Sequence, residues 1–178
     1  MGITNEDYTR RIAEASIGAS TLRGHPSNTI STTRAYLKTL KLEEFQCSNA
    51  KDFNKVLDKH TIRLSKQIQK LDHRFAFWGS ARKALNLFLG DAAYHAILRK
   101  EYRLDRIEKF MEVPLDSQVA NGLISLAEER NVSLPKWKTI RGLLPDESIL
   151  YQSFASSYAK ELGCTRIQLD LLLWRKNG

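Results

Sequence analysis

Two residues in the middle of the chain, Lys83 and Asp116, have the chemistry of a nucleophile and its carboxylate partner. A lysine amine is almost fully protonated at neutral pH, but burial and neighbouring cations lower its pKa and make it nucleophilic. Lys83 has both influences in its sequence, because Arg82 precedes it and an apolar segment follows. It also falls in the predicted first turn of a helix, where the helix dipole disfavours a cation. The alternative is an ordinary lysine that extends to water from a helix end.

Asp116 follows a proline corner and is predicted to cap a helix. Pro114 restricts its own backbone and favours extended geometry at Val113. A carboxylate in the N-cap position accepts hydrogen bonds from the free N–H groups of the first turn. The same position keeps the carboxylate ionised and fixed, as electrostatic or general-base catalysis requires. A role as a helix cap alone is the alternative.

The sequence contains no phosphate-loop, dinucleotide-binding, zinc-protease or Cys-x-x-Cys pattern. We therefore predict neither a metal site nor a cofactor. The four histidines are scattered, at His25, His60, His73 and His95. His95 is interpreted as a core histidine rather than a ligand. Two cysteines, Cys47 and Cys164, are too few for a disulfide framework or a zinc site, and they favour a reducing, cytoplasmic location.

The charge of the chain favours a polyanionic partner. Lysine and arginine total 28 against 20 acidic residues, which gives a net charge of +8 in 178 residues. Nucleic acid is the first candidate partner, and the alternative is a charge that only keeps the protein soluble. No segment approaches the roughly 18 apolar residues of a membrane span. The first 16 residues contain acids and no apolar core, so we expect neither a secretion signal nor a membrane location.

Helical periodicity dominates the chain, and no convincing strand or hairpin signal is present. The sequence therefore predicts an all-α fold of seven or eight helices. These are expected over about residues 6–17, 31–45, 48–71, 81–100, 104–111, 116–130, 146–162 and 166–175. The helix after Ala81 is apolar on nearly all sides, which indicates burial in a bundle. The basic face of the helix from Ser48 to Leu71 is interpreted as solvated.

Residues 1–178 are predicted to form one domain that divides into two lobes. The aromatic turn Phe77–Gly79 is the expected hinge, between N-terminal helices over about residues 1–74 and a C-terminal part over about 75–178. The segments 18–31 and 131–145 are rich in turn-forming residues and are predicted to be loops.

Two segments resemble the motifs of the helix-hairpin-helix DNA glycosylases: Gly79-Ser80-Ala81-Arg82-Lys83 and Val113-Pro114-Leu115-Asp116-Ser117-Gln118-Val119. In bifunctional members, a Gly-x-Gly-x-Lys hairpin supplies the catalytic lysine and a Val-Pro-x-Asp segment supplies the catalytic aspartate. The long spacing between the two, and the apolar, aromatic helix after the lysine, are similar to the archaeal 8-oxoguanine glycosylase branch. Two positions depart from the pattern, because Ala81 replaces the second hairpin glycine and Gln118 replaces a frequent histidine.

The resemblance implies that Lys83 and Asp116 are catalytic residues of a base-excision DNA glycosylase with AP lyase activity. Its expected partner is double-stranded DNA that carries a damaged or modified base, with 8-oxoguanine as the leading candidate. The implied fold is a two-lobed helical bundle with a helix-hairpin-helix element and a cleft between the lobes. The expected protein is a monomer, without a cofactor, in the cytoplasm or at a prokaryotic nucleoid.

Glycosylase chemistry requires that a base leave the stack and enter a pocket. The aromatic candidates for that pocket are Phe77, Trp78, Trp137 and Trp174, and core packing is the alternative for each tryptophan. Phosphate contacts are expected from the backbone N–H groups of Gly79 and Ala81 and from the side chains of Arg82 and Arg74. The alternative function is a non-catalytic helical DNA-binding module, in which Lys83 is one more phosphate contact. A nuclease is disfavoured, because no carboxylate cluster for a metal is visible.

Overall fold

The structure, a computed structural model, describes the backbone of residues 2–175 and the side chains as far as Leu173. Eight α-helices follow one another: α1 (Asn5–Ser16), α2 (Thr29–Lys38), α3 (Ala50–Gln69), α4 (Trp78–Tyr94), α5 (Ala96–Glu101), α6 (Ser117–Glu128), α7 (Pro145–Glu161) and α8 (Leu169–Arg175). Short 3-10 turns occupy Leu42–Phe45, Leu104–Arg106, Glu108–Phe110, Ile140–Gly142 and Arg166–Gln168. No β-strand occurs between residues 2 and 175. The all-α class is therefore confirmed.

Side-chain caps fix where several helices begin. At α1, the hydroxyl of Thr4 accepts from the N–H of Asp7 at 3.3 Å, and the Asp7 carboxylate accepts from the N–H of Thr4 at 2.8 Å. At α3, the side chain of Asn49 accepts from the N–H of Asp52 at 2.9 Å. These contacts satisfy N–H groups that the first turn of a helix leaves without a partner.

Helix α3 has the amphipathic pattern that the sequence predicts. Its apolar residues Phe53, Leu57, Leu64 and Ile68 are fully buried. The basic residues on its other side, Lys51, Lys55, Arg63, Lys66 and Lys70, are exposed. Apolar residues spaced three or four positions apart form a stripe along one side of a helix, and burial of that stripe holds the helix against the core.

Helix α4 is the centre of the fold. Thirteen of the fifteen residues from Gly79 to Ala93 are buried, and the exceptions are Leu87 and Asp91. The helix packs against α1, α2, α3, α5 and α7. A helix in contact with neighbours on all sides must be apolar around its whole circumference, as the sequence predicted.

Three predicted helices differ from the structure. The helix predicted over 31–45 begins at Thr29 and ends at Lys38, and Leu42–Phe45 is a separate 3-10 turn. The predicted helix over 81–100 begins earlier, at Trp78, and breaks at His95, whose extended backbone separates α4 from α5. The His95 ring accepts from the N–H of Leu98 at 3.4 Å and so starts the new helix. The predicted helix over 104–111 is instead a pair of 3-10 turns, preceded by Arg103 in the left-handed region at φ 49°. A left-handed residue ends an α-helical path.

The buried apolar residues form two clusters. The first extends from Ile12 to Met111 and includes Ile167. The second extends from Val113 to Leu173 and contains the buried faces of α6, α7 and α8. Among the residues that the structure describes, no helix is long and apolar enough to cross a bilayer.

A buried ion pair lies where the two clusters meet. The guanidinium of Arg82 on α4 donates to both carboxylate oxygens of Glu112, from Nε at 2.8 Å and from Nη2 at 2.9 Å. Its Nη1 donates to Asp58 at 2.7 Å and to the Thr61 hydroxyl at 3.1 Å, both on α3. Asn86 donates to Glu112 at 3.1 Å. The network joins α3 and α4 to the extended segment that leads into α6.

The network keeps Glu112 ionised. Burial by itself would raise the pKa of this carboxyl, but the charge and hydrogen bonds of Arg82, with the hydrogen bond from Asn86, outweigh burial and hold the pKa below its ordinary value. A lowered carboxyl pKa in the folded state stabilises the fold above the unfolded-state pKa. That contribution is lost as the pH falls through the folded-state pKa.

We predict strong energetic coupling between Arg82 and Glu112. Arg82→Met leaves a buried carboxylate without its cation and should lower the free energy of unfolding by about 3–5 kcal/mol. Arg82→Met combined with Glu112→Gln removes both charges and keeps an acceptor for Asn86, so the double variant should be more stable than the sum of the two single effects allows. Urea denaturation of wild type, both single variants and the double variant measures the coupling. Additive losses would contradict it.

Candidate active site

An open cavity of about 440 Å³ lies beside the start of α4. Its walls come from four parts of the chain: the loop before α2, α4 itself, the start of α6 and the loop before α7. The lining residues are Ser20, Thr21, Arg23, Lys83, Asp116, Ser117, Gln118, Trp137, Lys138, Thr139 and Ile140. The volume is in the range of a small-molecule pocket, so it can hold a group the size of a nucleobase.

Lys83 and Asp116 meet in this cavity. The Nζ of Lys83 lies 3.2 Å from Oδ2 of Asp116, with 8% of the lysine side chain and 24% of the aspartate side chain exposed. Nζ also donates to the main-chain carbonyl of Thr21 at 3.3 Å. The lysine is therefore held from two sides, while its ammonium remains on the wall of an open cavity. The structure thus brings the two residues of the separate motifs into contact on the wall of one open cavity.

The two oxygens of Asp116 have separate contacts. Oδ1 accepts from the N–H groups of Gln118 and Val119, each at 3.0 Å, and so caps α6. Oδ2 faces Lys83. The helix cap and the charged partner of Lys83 are thus one side chain, and the cap fixes the direction in which the second oxygen points.

A side chain on α7 holds the segment that leads to Asp116 through hydrogen bonds. The side-chain amide of Gln152 accepts from the N–H of Val113 at 3.2 Å and donates to the carbonyl of Val113 at 2.7 Å. Gln152 is buried, and its amide satisfies the N–H and the carbonyl of Val113, which a neighbouring strand would satisfy in a β-sheet. Val113 is thereby fixed one residue before Pro114, and the position of Asp116 follows.

The loop between α1 and α2 is tied to α4 three residues before Lys83. Nε2 of His25 lies 2.7 Å from the hydroxyl of Ser80, and Nδ1 lies 3.0 Å from the carbonyl of Leu22. A neutral imidazole protonated at Nδ1 satisfies both contacts, because a carbonyl can only accept. Burial lowers the pKa of His25, although two backbone hydrogen bonds oppose it, and the charges of Arg141 and Lys83 add to the lowering.

Trp137 is the aromatic base-pocket candidate that lies beside Lys83. It is half-buried and lines the same cavity. Its indole stands edge-on to Tyr151, with ring centroids 5.8 Å apart and planes at 84°. The hydroxyl of Tyr151 donates to the carbonyl of Pro135 and fixes the orientation of that ring. A supported indole on the cavity wall suits stacking with a flat heterocycle.

The other aromatic candidates lie elsewhere. Phe77 has no exposed surface and packs against His25 and Phe75, so the structure corrects its assignment from pocket wall to core residue. Trp78 is half-buried but lines a different cavity, where the Arg82 guanidinium lies 5.2 Å from its ring centroid. Trp174 is in α8, and its side chain lies outside the described part of the structure.

The predicted hairpin residues are helical, and this corrects their assignment to DNA phosphates. Gly79 and Ala81 are buried inside α4, and the N–H of Ala81 donates to the carbonyl of Phe77 at 3.0 Å. A Cβ at Gly79 would collide with the carbonyl oxygen of Ile140 and lie 2.6 Å from Cβ of Leu143. The glycine therefore permits close packing of the 3-10 turn on α4, and no phosphate can approach it.

The two arginines assigned to phosphate have different surroundings. Arg82 is 7% exposed and its guanidinium is bonded to Glu112, Asp58 and Thr61, so the predicted phosphate contact is wrong. Arg74 is exposed and pairs with Asp72 through Nη2 at 2.8 Å. The Asp72 side chain is 8% exposed, and its carboxylate also accepts from Nε of Arg74 at 2.9 and 3.1 Å, so the predicted phosphate contact of Arg74 stays a prediction.

Three charged residues beside the site were missed in the sequence. Arg23 and Lys138 are exposed and line the cavity, and each belongs to a predicted loop without a distinctive pattern. Asp170, half-buried in the first turn of α8, has a pKa raised to about 6, first by burial and next by the charge of Asp116, with Lys83 opposing. The influence of Asp170 on the site depends on its position in the tertiary structure, which no local sequence motif indicates.

No group of three or more metal-ligating side chains is found in the described portion of the chain. Comparison of the chain with protein-family models, with curated proteins and with solved structures finds no match. The chemistry of the cavity is therefore argued from its own residues and from the two sequence motifs.

Asp170 gives the fold a predictable pH dependence. Its folded-state pKa is raised, so ionisation destabilises the native state as the pH rises from the ordinary carboxyl pKa through about 6. Asp170→Asn removes this cost. The free energy of unfolding of the variant, relative to wild type, should therefore be higher at about pH 8 than at about pH 4.

Urea denaturation at the two pH values measures this difference. Asp105→Asn, at an exposed position, is the control for the loss of one negative charge. An Asp170→Asn effect that is the same at both pH values would contradict the prediction.

Proposed function

We propose that this protein is a base-excision DNA glycosylase with AP lyase activity, which removes a damaged or modified base through a Schiff base on Lys83. The observation that carries the proposal is the contact between Lys83 and Asp116 in one open cavity. The two residues are far apart in sequence and belong to the two motifs that resemble the glycosylase family. The leading base, 8-oxoguanine, rests on the resemblance to one branch of that family.

The geometry supports a division of roles between the two residues. In the resting pair, the Lys83 ammonium is stabilised by Asp116 and by the Thr21 carbonyl. Lys83 must lose a proton before it can attack, and Oδ2 of Asp116, 3.2 Å away, is positioned to accept it. Alternatively, Asp116 remains ionised and stabilises positive charge that develops at the sugar C1′.

The covalent step then follows from the neutral amine. Nζ of Lys83 forms a bond to C1′ while the glycosidic bond breaks, and the base leaves with the electron pair and takes up a proton. Opening of the C1′–O4′ bond leaves a Schiff base between Nζ and C1′. Loss of the C2′ proton and departure of the 3′ phosphate, a β-elimination, cut the strand and complete the lyase reaction.

The surroundings of the pair fit a flipped nucleotide. Trp137 offers an indole face for stacking with the extruded base. Arg23 and Lys138 supply exposed positive charge on the same cavity wall for the flanking phosphates. The net charge of +8 adds a general attraction to the DNA backbone.

The proposed function also includes the finer features of the predicted fold, which are two lobes, a cleft between them and a helix-hairpin-helix element. The two apolar clusters are taken as the two lobes, and the Lys83 cavity, lined by segments from both parts of the chain, as the cleft between them. The helices α3 and α4 with their connection, residues 70–77, are taken as the helix-hairpin-helix element. A monomer that acts on duplex DNA in the cytoplasm or nucleoid completes the proposal.

Lys83→Gln should abolish covalent capture of DNA. Borohydride reduces a Schiff base to a stable amine, so wild-type protein incubated with duplexes that each carry one damaged base should yield a covalent adduct visible on a denaturing gel. Glutamine cannot form the Schiff base. Lys160→Gln, which removes a cation from an exposed position on α7, is the control for charge and should retain the adduct. An undiminished adduct with Lys83→Gln would rule out this lysine.

Asp116→Asn should separate catalysis from folding. Asparagine is as good an N-cap as aspartate, so α6 should still form. Loss of the anion beside the nearly buried Lys83 ammonium should lower the free energy of unfolding, but the variant should remain folded. The charge beside Lys83 is lost, and the rate of base release should fall by roughly 10²-fold or more. Single-turnover base release, DNA affinity and thermal unfolding measured together test this. Full turnover by a folded Asp116→Asn protein would leave Asp116 as a helix cap only.

The contact that carries the proposal also favours a second candidate function. An ion pair that fixes Lys83 against α6 is equally suited to a non-catalytic DNA-binding module, in which the lysine has a structural role and contacts phosphate. Duplex binding without release of any base and without cleavage at an abasic site would support that module and exclude the glycosylase.

A further inference from the structure

A second open cavity, of about 470 Å³, lies near the start of α3 and beside the 3-10 turns that follow α5. Its lining consists of Gln46, Cys47, Ser48, Arg103, Arg106, Ile107 and Lys109. It shares no lining residue with the Lys83 cavity. Three of its seven residues are cations and none is an acid.

The three cations come from one short stretch of the chain. Arg106 and Lys109 lie in two successive 3-10 turns, Leu104–Arg106 and Glu108–Phe110. Arg103 precedes the first turn in the left-handed region at φ 49°, and its carbonyl accepts from the N–H of Arg106 at 3.1 Å. All three side chains line the same cavity.

The nearby acids do not neutralise these cations. None of the three forms an ion pair within the described residues, and the Lys109 ammonium lies over the Phe110 ring at 5.1 Å. Glu108 instead pairs with Arg99 at 2.7 Å, and Glu44 with Lys59 and His60. Asp105, between the two arginines in sequence, does not line the cavity. The cavity wall is therefore left with positive charge.

We propose that this cavity is a binding site for a phosphate group. Two guanidinium groups present planar pairs of donors that match phosphate oxygens, and an ammonium adds a third charge. Ser48 contributes a hydroxyl on the same wall. Three converging cations suit an anion that carries more than one oxygen acceptor and a persistent negative charge, as phosphate does.

The source that we favour is the backbone of duplex DNA, and this part of the inference rests on the proposed function. The positive charge of this cavity is complementary to the phosphates of duplex DNA. The cavity shares no lining residue with the Lys83 cavity, so a phosphate bound here would be a different one from those beside the flipped nucleotide.

Cys47 allows a direct test, because its thiol lines the cavity. In a Cys164→Ser background, the rate of Cys47 alkylation by a neutral maleimide reports occupancy of the site. Burial raises the pKa of Cys47, so the reaction is run at mildly alkaline pH. A ligand present at about ten times its Kd should slow alkylation roughly tenfold. The probes are an undamaged duplex and, separately, inorganic pyrophosphate.

The expected result is protection by the duplex that is lost in Arg103→Gln/Arg106→Gln. Arg11→Gln/Lys160→Gln removes the same charge from exposed positions on α1 and α7 and should retain protection. Protection by pyrophosphate and not by duplex would support a phosphate site but overturn DNA as its source. No protection by either probe, or protection that persists in Arg103→Gln/Arg106→Gln, would overturn the site.

The result is independent of the glycosylase reaction. Lys83→Gln should keep the protection of Cys47, even if it loses the borohydride adduct. Failure of the phosphate site and failure of the proposed enzyme are therefore recognised by different measurements.

Discussion

The buried pair between Arg82 and Glu112 is the constraint on which the rest of the structure depends. It crosses from α4 to the extended segment before α6, and through Asp58 and Thr61 it also reaches α3. A buried charge that lost these partners would destabilise the fold strongly. The relative placement of the two apolar clusters is therefore fixed by a polar contact, whose directional bonds specify geometry more sharply than apolar packing does.

The same pair determines where Lys83 points. Consecutive residues on an α-helix are rotated by about 100°. With Arg82 held against Glu112, Lys83 must face another direction, where it meets Asp116 and the Thr21 carbonyl. Two adjacent cations, each 7% exposed, are thus accommodated on one buried helix because each has its own anionic or carbonyl partners. Arg82, which has a structural role, thus sets the orientation of Lys83, the cation to which we assign chemistry.

Sequence reasoning succeeded where the signal is local or periodic. The apolar stripe of α3 follows from residue spacing, and the cap by Asp116 follows from one side chain and the proline before it. The pairing of Lys83 with Asp116 is a long-range contact, and periodicity alone could not predict it. Only the resemblance of two separate motifs brought these residues together.

The failures concern properties that tertiary packing decides. Phe77 and Arg82 were assigned to surfaces by residue type, but both are buried, one by aromatic neighbours and the other by carboxylates from distant segments. Gly79 was interpreted as a turn, whereas its missing side chain makes room for the backbone at Ile140. Asp170 has no local motif, because its raised pKa arises from burial and from charges contributed by other helices.

The contact between Lys83 and the main-chain carbonyl of Thr21 has a consequence for how the loop can evolve. A carbonyl oxygen is present whatever side chain occupies position 21, so substitution there does not delete the contact. What must persist is the path of the loop, which His25 secures through Ser80. Residues on the exposed part of the loop, such as Arg23, can therefore diversify among related chains and change which molecules enter the cavity, while the lysine keeps its position.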